Sequence, residues 1–185
     1  MNIVSSHSHV RAARHQRGFT LVELVVVMII IGILGAIGAA RYFDRRGFDS
    51  AGFAEQTRAM LRFSQKLAIG QNRPVFTQLN GSTVALCFSG TSPCPPANQV
   101  PAIGGNGGAA ACAPNTWYCE APPGTIAYAV SPASATIVCF NALGQPGIGT
   151  SGTCVTTAFA GASVNITGDG TSTAVTIAAE TGYVF

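Results

Sequence analysis

Hydrophobic positions along the chain fall into three regimes. From Phe19 to Ala40 apolar residues follow one another with only Thr20 and Glu23 interrupting. A run of that length predicts one α-helix of about 33 Å, enough to cross a bilayer core. A cleavable secretory signal has a shorter apolar stretch, about 7 to 15 residues before a small-x-small site, and this run exceeds it. From Arg41 to Arg73 the spacing becomes that of an amphipathic helix. Phe53, Met60 and Leu67, with Phe63 between them, make one apolar stripe. Arg58, Arg62 and Lys66 recur on a separate face, which reads as solvated. Gly47 is a weak point with a restart capped by Asp49 or Ser50, and Asn72-Arg73-Pro74 ends the helix.

Beyond Pro74 the pattern turns to strands. Val75 to Leu79 and Thr83 to Phe88 flank Asn80-Gly81, a strong hairpin signal because a two-residue turn needs φ > 0 at both positions. Thr125 to Val130 and Ala135 to Phe140 predict a second hairpin around Ser131-Pro132-Ala133-Ser134. Ser163 to Thr167 and Thr173 to Ala179 predict a third around Gly168-Asp169-Gly170-Thr171. The fold class expected is α+β: a long N-terminal α-helix, apolar in its first half and amphipathic in its second, packed on an antiparallel β-sheet domain. Its divisions are 1–18, a polar leader; 19–40, a transmembrane helix; 41–73, an amphipathic helix; and 74–185, the β domain with loop 89–124.

Charge distribution gives the chain a direction. Charged residues are only 9% of the sequence, against about a quarter in ordinary soluble proteins. All ten basic residues precede Pro74, and Glu120, Asp169 and Glu180 are the only charges after it. Arg11, Arg14 and Arg17 precede the apolar run, so the leader is expected in the cytoplasm and the remainder across the membrane. The six cysteines, Cys87, Cys94, Cys112, Cys119, Cys139 and Cys154, all lie in the part expected to be translocated, where disulfides persist. Sequence alone leaves the connectivity open; pairing neighbours gives Cys87 with Cys94, Cys112 with Cys119, and Cys139 with Cys154. Such staples suit the long Pro- and Gly-rich loop.

Glu23 is the residue that needs a reason, because a carboxylate within an apolar helix costs up to roughly 2.5–3.5 kcal/mol at a bilayer centre. Its context, Gly18-Phe19-Thr20-Leu21-Val22-Glu23-Leu24 after a basic leader, resembles the type IV prepilin class III signal. The resemblance implies that a prepilin peptidase cuts between Gly18 and Phe19 on the cytoplasmic side and N-methylates Phe19, leaving the apolar helix attached. Phe19 and Glu23 are then the assembly residues, one cation and one anion at the end of an apolar rod. Paired with opposite charges on neighbouring subunits, they would set axial register more than add stability.

Two further stretches resemble the minor pilins and pseudopilins of the H type. Ile137 to Pro146 is similar to their strand followed by a D/N-x-x-G-x-P turn, and Thr176 to Phe185 to their closing strand. With Arg41 to Asp44 and Leu61 to Ile69 the set looks most like the minor pilins of the mannose-sensitive haemagglutinin (MSHA) pilus. The resemblance implies an inner-membrane protein with a periplasmic domain, later part of a pilus or pseudopilus. Its partners would be other pilin subunits through the N-terminal helix and the inner-membrane assembly machinery. DNA-binding relatives carry a basic G-R-x-R-like tail; here the stretch is Gly182-Tyr183-Val184-Phe185, and nucleic acid is not expected as a partner. Major pilins have a proline late in the apolar helix, absent here between Phe19 and Arg73, which favours a minor subunit.

Other function classes find less support. His7, His9 and His15 all lie in the leader, so no catalytic set, metal site or cofactor is expected in the processed chain. Asp169 reads as a turn residue rather than a Ca²⁺ ligand. A pseudopilin of a type II secretion system uses the same leader and helix. An adhesin-like tip module is a further alternative, with Trp117 and Tyr118 as candidate stacking residues.

Overall fold

The computed structural model describes residues 19–43, 45–150, 152–157, 159–168 and 170–185, and the side chains of these apart from 39–48. The apolar run forms α1, Leu21–Phe43, and the amphipathic stretch forms α2, Arg45–Gln71. The chain divides into two compact units, one ending at Phe43 and the other running Asp44–Phe185. Residues Leu21–Gly38 are exposed throughout and long and apolar enough to cross a membrane.

In the second unit α2 buries Ser50, Phe53, Ala54, Thr57, Met60, Leu61, Ser64 and Ala68, a three-and-four spacing that makes one continuous stripe. Small residues between the large ones let the helix axis approach the strands. Gly47 does not break the helix, and no restart forms at Asp49 or Ser50. A single glycine costs about 1 kcal/mol inside a helix, less than tertiary packing returns. The Ser50 hydroxyl instead meets the Thr171 hydroxyl at 3.1 Å. At the far end Asn72 takes a left-handed conformation at φ 51°. The Asn72 N–H bonds to the Ile69 carbonyl and the Arg73 N–H to the Ala68 carbonyl, so orphan carbonyls of the last turn are satisfied.

Among the described residues nine strands form two antiparallel sheets. The strands are β1 Val75–Leu79, β2 Val84–Cys87, β3 Cys119–Glu120, β4 Ala127–Ser131, β5 Ile137–Phe140, β6 Pro146–Thr150, β7 Thr153–Val155, β8 Ala162–Gly168 and β9 Thr171–Ile177. The larger sheet has the order β3-β2-β1-β5-β6-β7 and the smaller β4-β8-β9. Helix α2 packs on β8 and β9 of one and on β1, β2 and β5 of the other, joining them through a single core.

The larger sheet is covered on both faces. Val75, Leu79, Val84, Leu86, Val138 and Phe140 point to the core shared with α2. Ala85, Cys87 and Cys119 belong to a second cluster formed with loop residues Cys94, Cys112 and Trp117. Strand alternation thus serves two cores at once.

The hairpin expected between β4 and β5 does not form. Strand β4 pairs with β8, while β5 pairs with β1 in the register Val75↔Phe140 to Gln78↔Ile137. β1 is buried along its whole length, so its second edge needs a backbone partner, and β5 supplies it. The other two hairpins are present, β1–β2 and β8–β9. The first differs in its turn: four residues, Asn80 to Thr83, lie between the paired Leu79 and Val84, and among the described residues only Gly81 there has positive φ.

Candidate functional site

Helix α1 starts where its sequence provides a cap. The Thr20 hydroxyl accepts the Glu23 N–H at 3.2 Å, and the Thr20 carbonyl accepts the Leu24 N–H. Thr20 is therefore the N-cap and Glu23 the third helical residue. Thr20 ahead of an apolar run is the sequence signal for such a cap. A carboxylate in the first turn also suits the positive end of the helix dipole. Glu23 is exposed, and Phe19, one residue outside the helix, is 79% exposed. Gly18 and the leader lie outside the described residues. A helix start with an exposed carboxylate and an exposed apolar body can pair charge with charge and apolar face with apolar face, and its chemistry ends there.

The six cysteines form three disulfides, Cys87–Cys94, Cys112–Cys119 and Cys139–Cys154, each joining neighbours in the chain. Cys139 on β5 and Cys154 on β7 reach one another across β6, where a Cβ on Gly147 would lie 3.0 Å from the Cys154 sulfur and 2.6 Å from the Val155 oxygen. Loop 89–124 is folded along β2: Val100 N–H bonds to Leu86 O and Leu86 N–H to Tyr118 O. Trp117 is buried and donates its indole N–H to Cys112 O at 3.0 Å. Tyr118 packs against Phe63 of α2 with the rings tilted at 38° and 4.7 Å between centroids. Trp117 is thus packed inside the fold, while Tyr118 is half-buried against the helix.

The basic row on α2 is not simply solvated. Arg58 pairs with Glu55, and its side chain is only 16% exposed. Arg62 donates from Nε and Nη2 to the Val184 carbonyl at 3.1 and 2.7 Å and lies 5.8 Å from the centre of the Tyr183 ring. Gln65 donates to the carbonyls of Gly144 and Thr181. Together they hold two loops against the helix: the stretch after β9, paired through Thr176 and Phe185, and the turn Asn141 to Gln145. In that turn the Asn141 Oδ1 accepts the N–H groups of Leu143 and Gln145. The side-chain roles of Arg62 and Gln65 carry no sequence signal, since their partners are backbone carbonyls far along the chain.

Tyr128 links the two sheets electrostatically as well as sterically. Its hydroxyl donates to Thr83 O and accepts the Gly81 N–H at 3.0 Å, and burial pushes its pKa up to about 12. Among the described residues no cluster of His, Cys, Asp and Glu is able to hold a metal ion. Asp169 lies outside the described residues.

Residues 13–39 match the model of the prokaryotic N-terminal methylation motif. No curated protein matches the chain. The structure is similar to a crystal structure of the type IV minor pilin FimU from Pseudomonas aeruginosa, with 14% sequence identity and a TM-score of 0.46, covering 73% of this chain and 85% of that one. A second crystal form of the same protein gives 15% identity and 0.45, covering 71% and 87%.

Proposed function

We propose that this chain is a minor subunit of a type IV pilus, of the kind represented by the minor pilin C of the MSHA pilus, and that it acts in filament assembly and initiation at or near the tip. The observation that carries the reading is the methylation motif over residues 13–39, continuous with an exposed apolar helix. A prepilin peptidase removes residues 1–18 and methylates the Phe19 amine, and α1 stays in the inner membrane with the domain from Asp44 in the periplasm. The three disulfides suit that compartment.

In assembly, helix α1 leaves lipid for the company of other pilin helices. An ion pair between one subunit's Phe19 amine and another's Glu23 is then shielded from water, where a misplaced charge is expensive, so the pair selects one axial register. Past Arg73 there is no Lys or Arg to neutralise phosphates, and duplex DNA binding depends chiefly on such contacts. The domain therefore meets protein rather than nucleic acid. Deleting the gene should lower filament number more than filament length, counted by electron microscopy. Unchanged piliation with loss of protein secretion would overturn the reading in favour of a secretion pseudopilus.

A further inference from the structure

The turn between β1 and β2 contains Asn80 followed by Gly81, the pair least obstructed against attack of a backbone nitrogen on the preceding side-chain amide, because glycine has no Cβ. The reaction needs no oxidant or reductant. Gly81 N loses its proton and bonds to Asn80 Cγ, the Cγ–Nδ2 bond breaks and ammonia leaves. Water then opens the cyclic imide to aspartate or isoaspartate. Both residues are exposed, so burial offers no protection.

Hydrogen bonding does. The Gly81 N–H, which must be given up for attack, donates to the Tyr128 hydroxyl at 3.0 Å. The Asn80 carboxamide is turned past Gly81: its Oδ1 accepts the Ser82 N–H at 3.0 Å and the Thr83 N–H at 2.7 Å, and its Nδ2 donates to Thr83 Oγ1 at 3.0 Å. Tyr128 comes from β4 of the other sheet, with its ring 6.0 Å from that of Phe53. We infer that Asn80 is a deamidation site kept silent by the Tyr128 hydroxyl, which holds the attacking nitrogen.

Tyr128 is suited to the task because its hydroxyl is held between two groups of the turn, donating to Thr83 O while accepting the Gly81 N–H. The consequence of release is structural. Isoaspartate adds a methylene to the main chain between Leu79 and Val84, the pair that closes the central hairpin and fixes its register.

The test uses the full chain in detergent micelles, held in mildly alkaline buffer, with conversion at Asn80 followed by peptide mass spectrometry. Tyr128→Phe keeps the ring and removes the hydroxyl; it should convert on the order of tenfold faster than wild type, the factor that one net hydrogen bond supports. A folded Tyr128→Phe protein, checked by circular dichroism, that converts at the wild-type rate overturns the inference. If the variant is unfolded, wild type is compared native and denatured: conversion at least about tenfold slower in the native protein supports the inference, and equal rates overturn it.

Discussion

The two units of this protein use the same aliphatic residues in opposite ways. In α1, Ile30 and Ile31 are 50% and 63% exposed, while Leu61 and Ile166 in the second unit are fully buried. The second unit satisfies itself: α2 fills the space between two sheets, a second small core forms under loop 89–124, and three disulfides close it. Helix α1 satisfies only its backbone. Its side chains are addressed to a bilayer or to other subunits, because an exposed apolar surface of that extent in water favours association. On the function proposed above, folding information and assembly information are written in separate stretches of the chain, with Glu23 in the second.

That division can be broken most sharply at Glu23. Glu23→Val should leave export and cleavage intact yet remove the subunit from filaments. Glu23→Gln separates two roles, since glutamine keeps the shape and hydrogen-bonding reach of the side chain but not the charge. Immunoblots of sheared filaments should lack both variants; Gln at the wild-type level would mean that the charge is not required.

A matched pair of truncations comes next. Leu61→Ala should destabilise the second unit by about 2–5 kcal/mol, read as a lowered denaturant midpoint. Ile30→Ala should leave that midpoint unchanged and lower incorporation instead. Removing Cys139–Cys154, which closes a separation of 15 residues, should cost about 3 kcal/mol by chain entropy. An unaltered midpoint would mean that the sheet edge at β7 is held by pairing alone.

The smallest effect lies in pH. Tyr128 has its pKa raised from 10.0 to about 12 in the folded state. Its contribution to stability is full below pH 10 and is lost as pH rises toward 12, because the unfolded chain releases that proton first. Denaturant midpoints should fall across that window, and Tyr128→Phe should flatten the fall.

What the sequence disclosed follows the same line between the units. The apolar helix and the methylation motif were legible because they depend on local order alone. So were α2, its end at Asn72 and the hairpins β1–β2 and β8–β9, whose partners are close in the chain. Strands β3, β6 and β7 were not. β6 reads Pro-Gly-Ile-Gly-Thr, poor in strand formers, because Gly149 leaves room for Ile137 and the Phe76 ring, at 2.5 and 2.8 Å from a Cβ placed there. Alternation located β4 and β5 but not their partners, since pairing is decided by which edges must be satisfied in the assembled core. Arg62 is exposed, as a solvated face requires, but its bond to Val184 O was not legible, because that acceptor lies far along the chain and carries no side-chain signal.

The proposed function requires that Gly18-Phe19 be a processing junction that leaves the helix on the mature protein. Intact mass of the chain recovered from the inner membrane or from filaments tests it directly. The chain should begin at Phe19, carry one added methyl group on its amine and retain Leu21–Phe43. A mature chain beginning after Ala40, with the apolar helix gone, would contradict it.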